Sequence, residues 1–125
     1  MKKLLFLLIS LFMLTGCAPK PHYKVVEQIH ITSPMGEYRY DAPDKVQKYL
    51  YYLRSLKTWG PAELDTLQGK QYRITLHYSD GSSRIYRQWG NQCLAIGSGG
   101  WKKIRSDNGN KLPLLLEAVP PDEKL

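Results

Sequence analysis

Between residues 71 and 105 the chain alternates in the way an antiparallel sheet requires. Tyr72, Ile74, Leu76 and Tyr78 interleave with Arg73, Thr75 and His77, so each set falls on its own face of an extended segment. Asp80-Gly81 then offers a two-residue hairpin turn, and Gly90-Asn91 a second tight turn. With those turns the pattern predicts a meander in which Leu76 lies opposite Ile85, Tyr72 opposite Trp89, and Ile96 opposite Ile85. The same register pairs His77 with Arg84, Thr75 with Tyr86, Cys93 with Gln88, and Leu94 with Arg87. Gly97-Ser98-Gly99-Gly100 leads into a last strand from Trp101 to Arg105. A meander of this kind has an apolar face that another element must cover.

The remaining segments supply that cover. From Lys24 to Ser33, Val25, Ile29 and Ile31 share one face of a half-buried strand, with Glu27 a misfit among them; Lys24, Gln28, His30 and Thr32 share the other. Pro34-Met35-Gly36 is a turn, and Tyr38 and Tyr40 continue as a short strand. Asp41 stands where a helix cap belongs, with Pro43 in the first turn and Asp44 three residues after the cap. Val46, Tyr49, Leu50, Leu53 and Leu56 recur at helical spacing, and Trp59-Gly60-Pro61 ends the run. This predicts one main helix over about 42–57. Gln47, Lys48, Tyr51 and Ser55 fall on its polar side. Residues 61–70 are poorly patterned, with a turn of helix around Ala62 to Leu67. After Asn108-Gly109-Asn110, the leucines 112, 114, 115 and 116 predict a short C-terminal helix ending before Pro120-Pro121. The expected fold class is α+β: an antiparallel sheet of about five strands, the main helix packed on one face, and the short helix beside it.

The N-terminus reads differently. Ten of the eleven residues from Leu4 to Leu14 are apolar, and Lys2 and Lys3 precede them. As a helix the run covers roughly 16 Å, about half a bilayer core, which fits an export signal better than a permanent span. It ends Leu14-Thr15-Gly16-Cys17. These residues resemble the lipobox of bacterial lipoproteins. The resemblance covers only the leader and the first mature residue. It implies cleavage before Cys17, a diacylglycerol on the Cys17 sulfur and an acyl chain on the new amine. These lipids are the only non-protein groups expected. Each buried methylene adds about 0.8 kcal/mol of membrane affinity, so two or three chains anchor stably. Ala18, where an Asp directs retention in the inner membrane, implies the outer membrane and a domain facing the periplasm. The organisation expected is a signal peptide over 1–16, a lipidated tether over 17–23, a single domain over 24–119 and a tail over 120–125. Ala18-Pro19-Lys20-Pro21-His22 reaches only about 15 Å, so the domain stays near the membrane surface.

Composition gains meaning once the leader is set apart. Both phenylalanines, Phe6 and Phe12, lie in it; the aromatics that remain are nine Tyr and three Trp, rings with a polar tip suited to half-exposed strands and wet interfaces. Residues 18–69 are close to neutral at +1, residues 70–105 carry +6, and residues 106–125 carry −2. Arg73, Arg84, Arg87, Lys102, Lys103 and Arg105 therefore form the candidate site, a basic, aromatic sheet face for an anionic envelope component or another envelope protein. An exported chain without a nucleic-acid motif is not expected to bind nucleic acid.

Catalysis has little support in the residues. Cys93 is the one thiol left once Cys17 is lipidated, and His22, His30 and His77 are the available bases. In the register above, Cys93 and His77 stand roughly 16 Å apart, too far for a nucleophile and its base. No two histidines lie within five residues and there is no Cys-x-x-Cys, so no metal spacing is present. Ser79 to Ser83 reads as a hairpin tip, and the glycines 97, 99 and 100 lie between strands rather than before a helix. The expected function is a non-catalytic binding or accessory lipoprotein. A small periplasmic hydrolase with unrecognised catalytic residues is the alternative.

Overall fold

The alternating segments pair into one antiparallel sheet, and it is wider than its longest strands foretell. The structure, a computed structural model, describes residues 25–63 and 69–125. The leader, Cys17, the tether with His22, and most of the turn expected around Ala62 to Leu67 lie outside these residues. In chain order the elements are β1 (Val26–Ser33), β2 (Gly36–Tyr40), α1 (Pro43–Ser55), β3 (Trp59–Pro61), β4 (Gln71–Tyr78), β5 (Ser83–Trp89), β6 (Cys93–Ile96), β7 (Lys102–Lys103), α2 (Ser106–Gly109), α3 (Lys111–Ala118) and β8 (Glu123–Lys124). The eight strands lie in the order β3-β7-β6-β5-β4-β1-β2-β8. The expectation of about five strands is thus corrected to eight. The unexpected ones among the described residues, β3 and β8, are three and two residues long, too short to show any period of two, and the last strand expected from Trp101 to Arg105 is only the two residues of β7.

One correction governs the site. Both meander hairpins use three-residue loops, not two. Tyr78 N–H donates to Ser82 O at 2.9 Å across Ser79-Asp80-Gly81, and Gly81 takes φ +88°, the left-handed geometry of a three-residue hairpin. Trp89 stands opposite Cys93 across Gly90-Asn91-Gln92, with Gly90 at φ +56°. Each loop shifts the pairing by one residue. The two shifts cancel for β6, which keeps Leu94 and Ile96 inward, and leave β5 alone turned over. The observed pairs are Thr75 with Ile85, Arg73 with Arg87, and Tyr72 with Gln88. Ile85, expected inside, is exposed, and Gln88 is 1% exposed. The expected register buries Arg87 opposite Leu94 as an unpaired charge, whereas the observed one buries an amide that is fully bonded. Gln88 Oε1 accepts from the Tyr52 hydroxyl, and Nε2 donates to Gly90 O at 2.7 Å and Gly109 O at 3.0 Å. That amide ties β5 to α1 and α2. Gly109 must approach closely, since a Cβ there would meet Asn91 O at 2.7 Å.

The helix stripe is as the spacing predicts: Val46, Tyr49, Leu50, Leu53 and Leu56 are buried against Ile29, Ile31, Ile74, Leu76 and Leu112, with Tyr52 added. Tyr40 and Tyr49 pack at 4.6 Å between ring centroids, and burial pushes both phenols above their usual range. A β-bulge between Val26 and Gln28 turns Glu27 out to solvent, which removes the expected misfit and leaves Val25 exposed.

The cap and the C-terminus also differ from expectation. Asp41 does not cap α1. Asp122 Oδ2 accepts from the backbone N–H groups of Asp41 at 2.7 Å and Ala42 at 2.9 Å, while Lys45 Nζ donates to Oδ1 at 2.9 Å. The hydrogen bonds from the Ala42 and Asp41 backbone, then the one from Lys45, hold the Asp122 carboxyl well below the usual carboxylate range. Residues 120–125, set apart as a tail, belong to the domain: β8 pairs with β2, and Leu125 N–H donates to Glu37 O at 2.9 Å.

Candidate functional site

All the buried helical side chains join the core on one side of the sheet, and the strand residues of opposite parity form an open face. Arg73 on β4 and Arg87 on β5 are direct cross-strand partners there. Like charges so placed are unfavourable, and among the described residues neither Arg has a carboxylate partner. The Arg87 guanidinium carbon lies 5.2 Å from the Trp101 ring centroid, and Trp101 meets Trp89 edge-to-face at 5.6 Å. Cys93 and Ala95, both without exposed surface, occupy the same face of β6. Lys103, opposite Cys93, extends the basic surface across β7.

The six basic residues are not all brought together. Arg73, Arg87 and Lys103 share the open face. Arg84 stands opposite Leu76 on the other side of the sheet, its guanidinium carbon 5.7 Å from the Tyr86 ring. Lys102 is opposite Leu94, also on the core side. Arg105 lies beyond β7 and pairs with Asp107 at 3.3 Å. The aromatic residues separate too. Tyr38, Tyr40, Tyr72, Tyr78 and Tyr86 belong to the helix-covered side, so the open face carries tryptophan and not tyrosine.

Cys93 is fully buried, and burial pushes its thiol up. In the observed register it lies level with Gln71, six residues from His77 and two strands over, roughly 20 Å along the sheet. His30 sits on β1 opposite Thr75, three strands from Cys93 and four residues along, also roughly 20 Å away. Among the described residues the fold therefore assembles no thiol–imidazole pair.

A feature that the sequence pattern did not reveal lies at the edge of the basic half. Trp59, Lys103, Ile104, Arg105, Ser106 and Asp107 line an open groove of about 660 Å³. The lining comes from segments far apart in sequence, and Trp59 reads locally only as part of a helix stop. The one available signal is an exposed-type Trp beside a Gly-Pro break.

Comparison with known proteins finds no matching family model, no matching curated protein and no matching solved structure.

Proposed function

We propose that the chain is a bacterial envelope lipoprotein, anchored through acyl chains on Cys17, whose domain acts as a non-catalytic binding module for an anionic partner. The single observation that carries the binding role is the opposed Arg73–Arg87 pair, held on an open sheet face beside Trp101 with no carboxylate among the described residues to neutralise it. An anion lying between the two guanidiniums relieves their repulsion, and Arg87 stacked on an indole is pre-positioned to receive it. The anchor rests on the apolar run and Leu14-Thr15-Gly16-Cys17, and Ala18 supports placement in the outer membrane facing the periplasm. No helix among the described residues is long and apolar enough to cross a membrane. The partner class is an anionic envelope component, such as lipid headgroup phosphates, or an acidic patch of another envelope protein.

Two measurements test this. Mass spectrometry of the chain from bacterial membranes is expected to find an N-terminus at Cys17 carrying acyl chains, lost in Cys17→Ala; an unprocessed, unlipidated chain overturns the anchor. The full chain in zwitterionic micelles is then titrated with phosphatidylglycerol. Binding is expected to weaken steeply as salt shortens the Debye length from about 10 Å toward 3 Å. It is also expected to be lost in the Arg73→Gln/Arg87→Gln double variant, with the thermal melt retained. Binding indifferent to salt and to both substitutions overturns the electrostatic reading.

A further inference from the structure

We propose that the groove between β3, β7 and α2 is a subsite for an uncharged saccharide of the N-acetylated amino-sugar class. This site adjoins the anion-binding face at Lys103, the register partner of Trp59, but does not use the Arg73–Arg87 pair. Trp59 is 50% exposed at the groove's edge, an indole left in water where a flat partner can cover it. The C–H face of a pyranose is such a partner, because aromatic rings gain by shielding apolar C–H groups from water. Part of the polar lining is already paired. Arg105 Nε and Nη2 face the two carboxylate oxygens of Asp107 at 3.3 Å each, and both side chains are about two-thirds exposed. This planar pair sets donors and acceptors side by side, as vicinal hydroxyls require. A free anion would have to compete with Asp107 for Arg105. Lys103 and Arg105 on one side and Glu63 and Asp107 on the other make the described lining equal in formal charge, and Arg105 and Asp107 are paired within it. Half-buried Ala62 adds an apolar spot for the methyl of an acetamido group, while Ile104 in the same lining is buried in the core. The volume of about 660 Å³ falls within the roughly 300–1,000 Å³ range of small-molecule sites.

The test titrates the full chain, in a zwitterionic detergent without sugar headgroups, with tri-N-acetylchitotriose while following tryptophan emission and heat release. The expected result is saturable binding that is unchanged by added salt and by Arg73→Gln/Arg87→Gln. It should weaken by at least about tenfold in Trp59→Ala, recover in part in Trp59→Phe, and be stronger than binding of maltotriose. Thermal melts of both Trp59 variants establish that they are folded. No binding, or binding that survives Trp59→Ala, overturns the proposal. Equal binding of maltotriose overturns the amino-sugar class. Binding that vanishes with salt and with the arginine pair assigns the signal to the open face and overturns the groove.

Discussion

The open face has two halves that treat charge in opposite ways. On the β1-β2-β8 side, Arg39 is bracketed by Glu123 and by Asp41, the latter at 3.5 Å, and His30 Nε2 lies 3.8 Å from Glu37. On the β4–β7 side, Arg73, Arg87 and Lys103 have no such partners among the described residues. The acids that could balance them are present in the chain. Residues 106–125 carry a net −2, yet Asp122 and Glu123 fold back onto β2 and the start of α1, at the far side of the sheet from β7. The topology thus keeps opposite charges apart. A surface merely kept soluble gains nothing from placing Arg directly opposite Arg, so the difference between the halves is the strongest structural argument that the basic half meets something.

What holds the basic half in place is the orientation of β5, and Gln88 is its lock. Gln88→Ala strips the donor from Gly90 O and Gly109 O and the acceptor from Tyr52, and it opens a cavity. The expected cost is about 3 kcal/mol, larger than for any other substitution proposed for this domain, read as a fall in the urea midpoint. Tyr52→Phe, which removes one bond of the three, should cost less. If Gln88→Ala melts like the parent, the inward amide is not what turns Arg87 outward.

The paired half depends on Asp122, and there the control is pH. Its folded-state carboxyl titrates below the ordinary range, so its stabilisation is complete above the ordinary carboxylate pKa and is lost as pH falls through and below it. Melting temperature followed downward from pH 6 should drop more steeply in the parent than in Asp122→Asn. The variant should be the less stable of the two at neutral pH and converge with the parent in acid. Parallel curves would remove Asp122 as the tie between β8 and α1.

How much of this was legible follows from range. The α1 stripe, the order β4-β5-β6-β7 and the inward faces of β4 and β6 come from residues within a few positions of one another, and their periodicity shows. The β5 orientation was not legible, because Ser79-Asp80-Gly81 satisfies either a two-residue or a three-residue loop, and the choice is made by Gln88 finding Tyr52 on a helix 36 residues away. Asp122, which accepts from the Ala42 N–H just ahead of α1, lies 80 residues away in sequence, and an acid near a proline pair carries no local sign of that role. For the site, the excess of basic residues was legible but its division between two faces was not, because parity along β5 depends on that same loop.

Gly81 provides a direct check on the loop. It sits at φ +88°, and a Cβ added to it would have nothing within 4 Å, so the cost of Gly81→Ala is backbone strain alone, about 1 kcal/mol. A larger loss, with Ile85 becoming protected from solvent, would show the strand reverting to the other register.

The smallest effect on stability is expected from the change that most directly erases the difference between the halves. Arg87→Glu places an acid opposite Arg73, copying on β4–β5 the pairing that Arg39 and Glu123 make on β2–β8. Exchange of a like-charge for an opposite-charge cross-strand pair is worth about 0.5 kcal/mol, partly offset by loss of the stacking on Trp101. The melt should therefore rise slightly or stay level, while anion binding falls to background. Stability and binding would then move in opposite directions at one residue, the pattern of a surface whose repulsion is kept for a partner. A variant that is less stable and still binds would mean that Arg87 serves the Trp101 stack and that the anion site lies elsewhere.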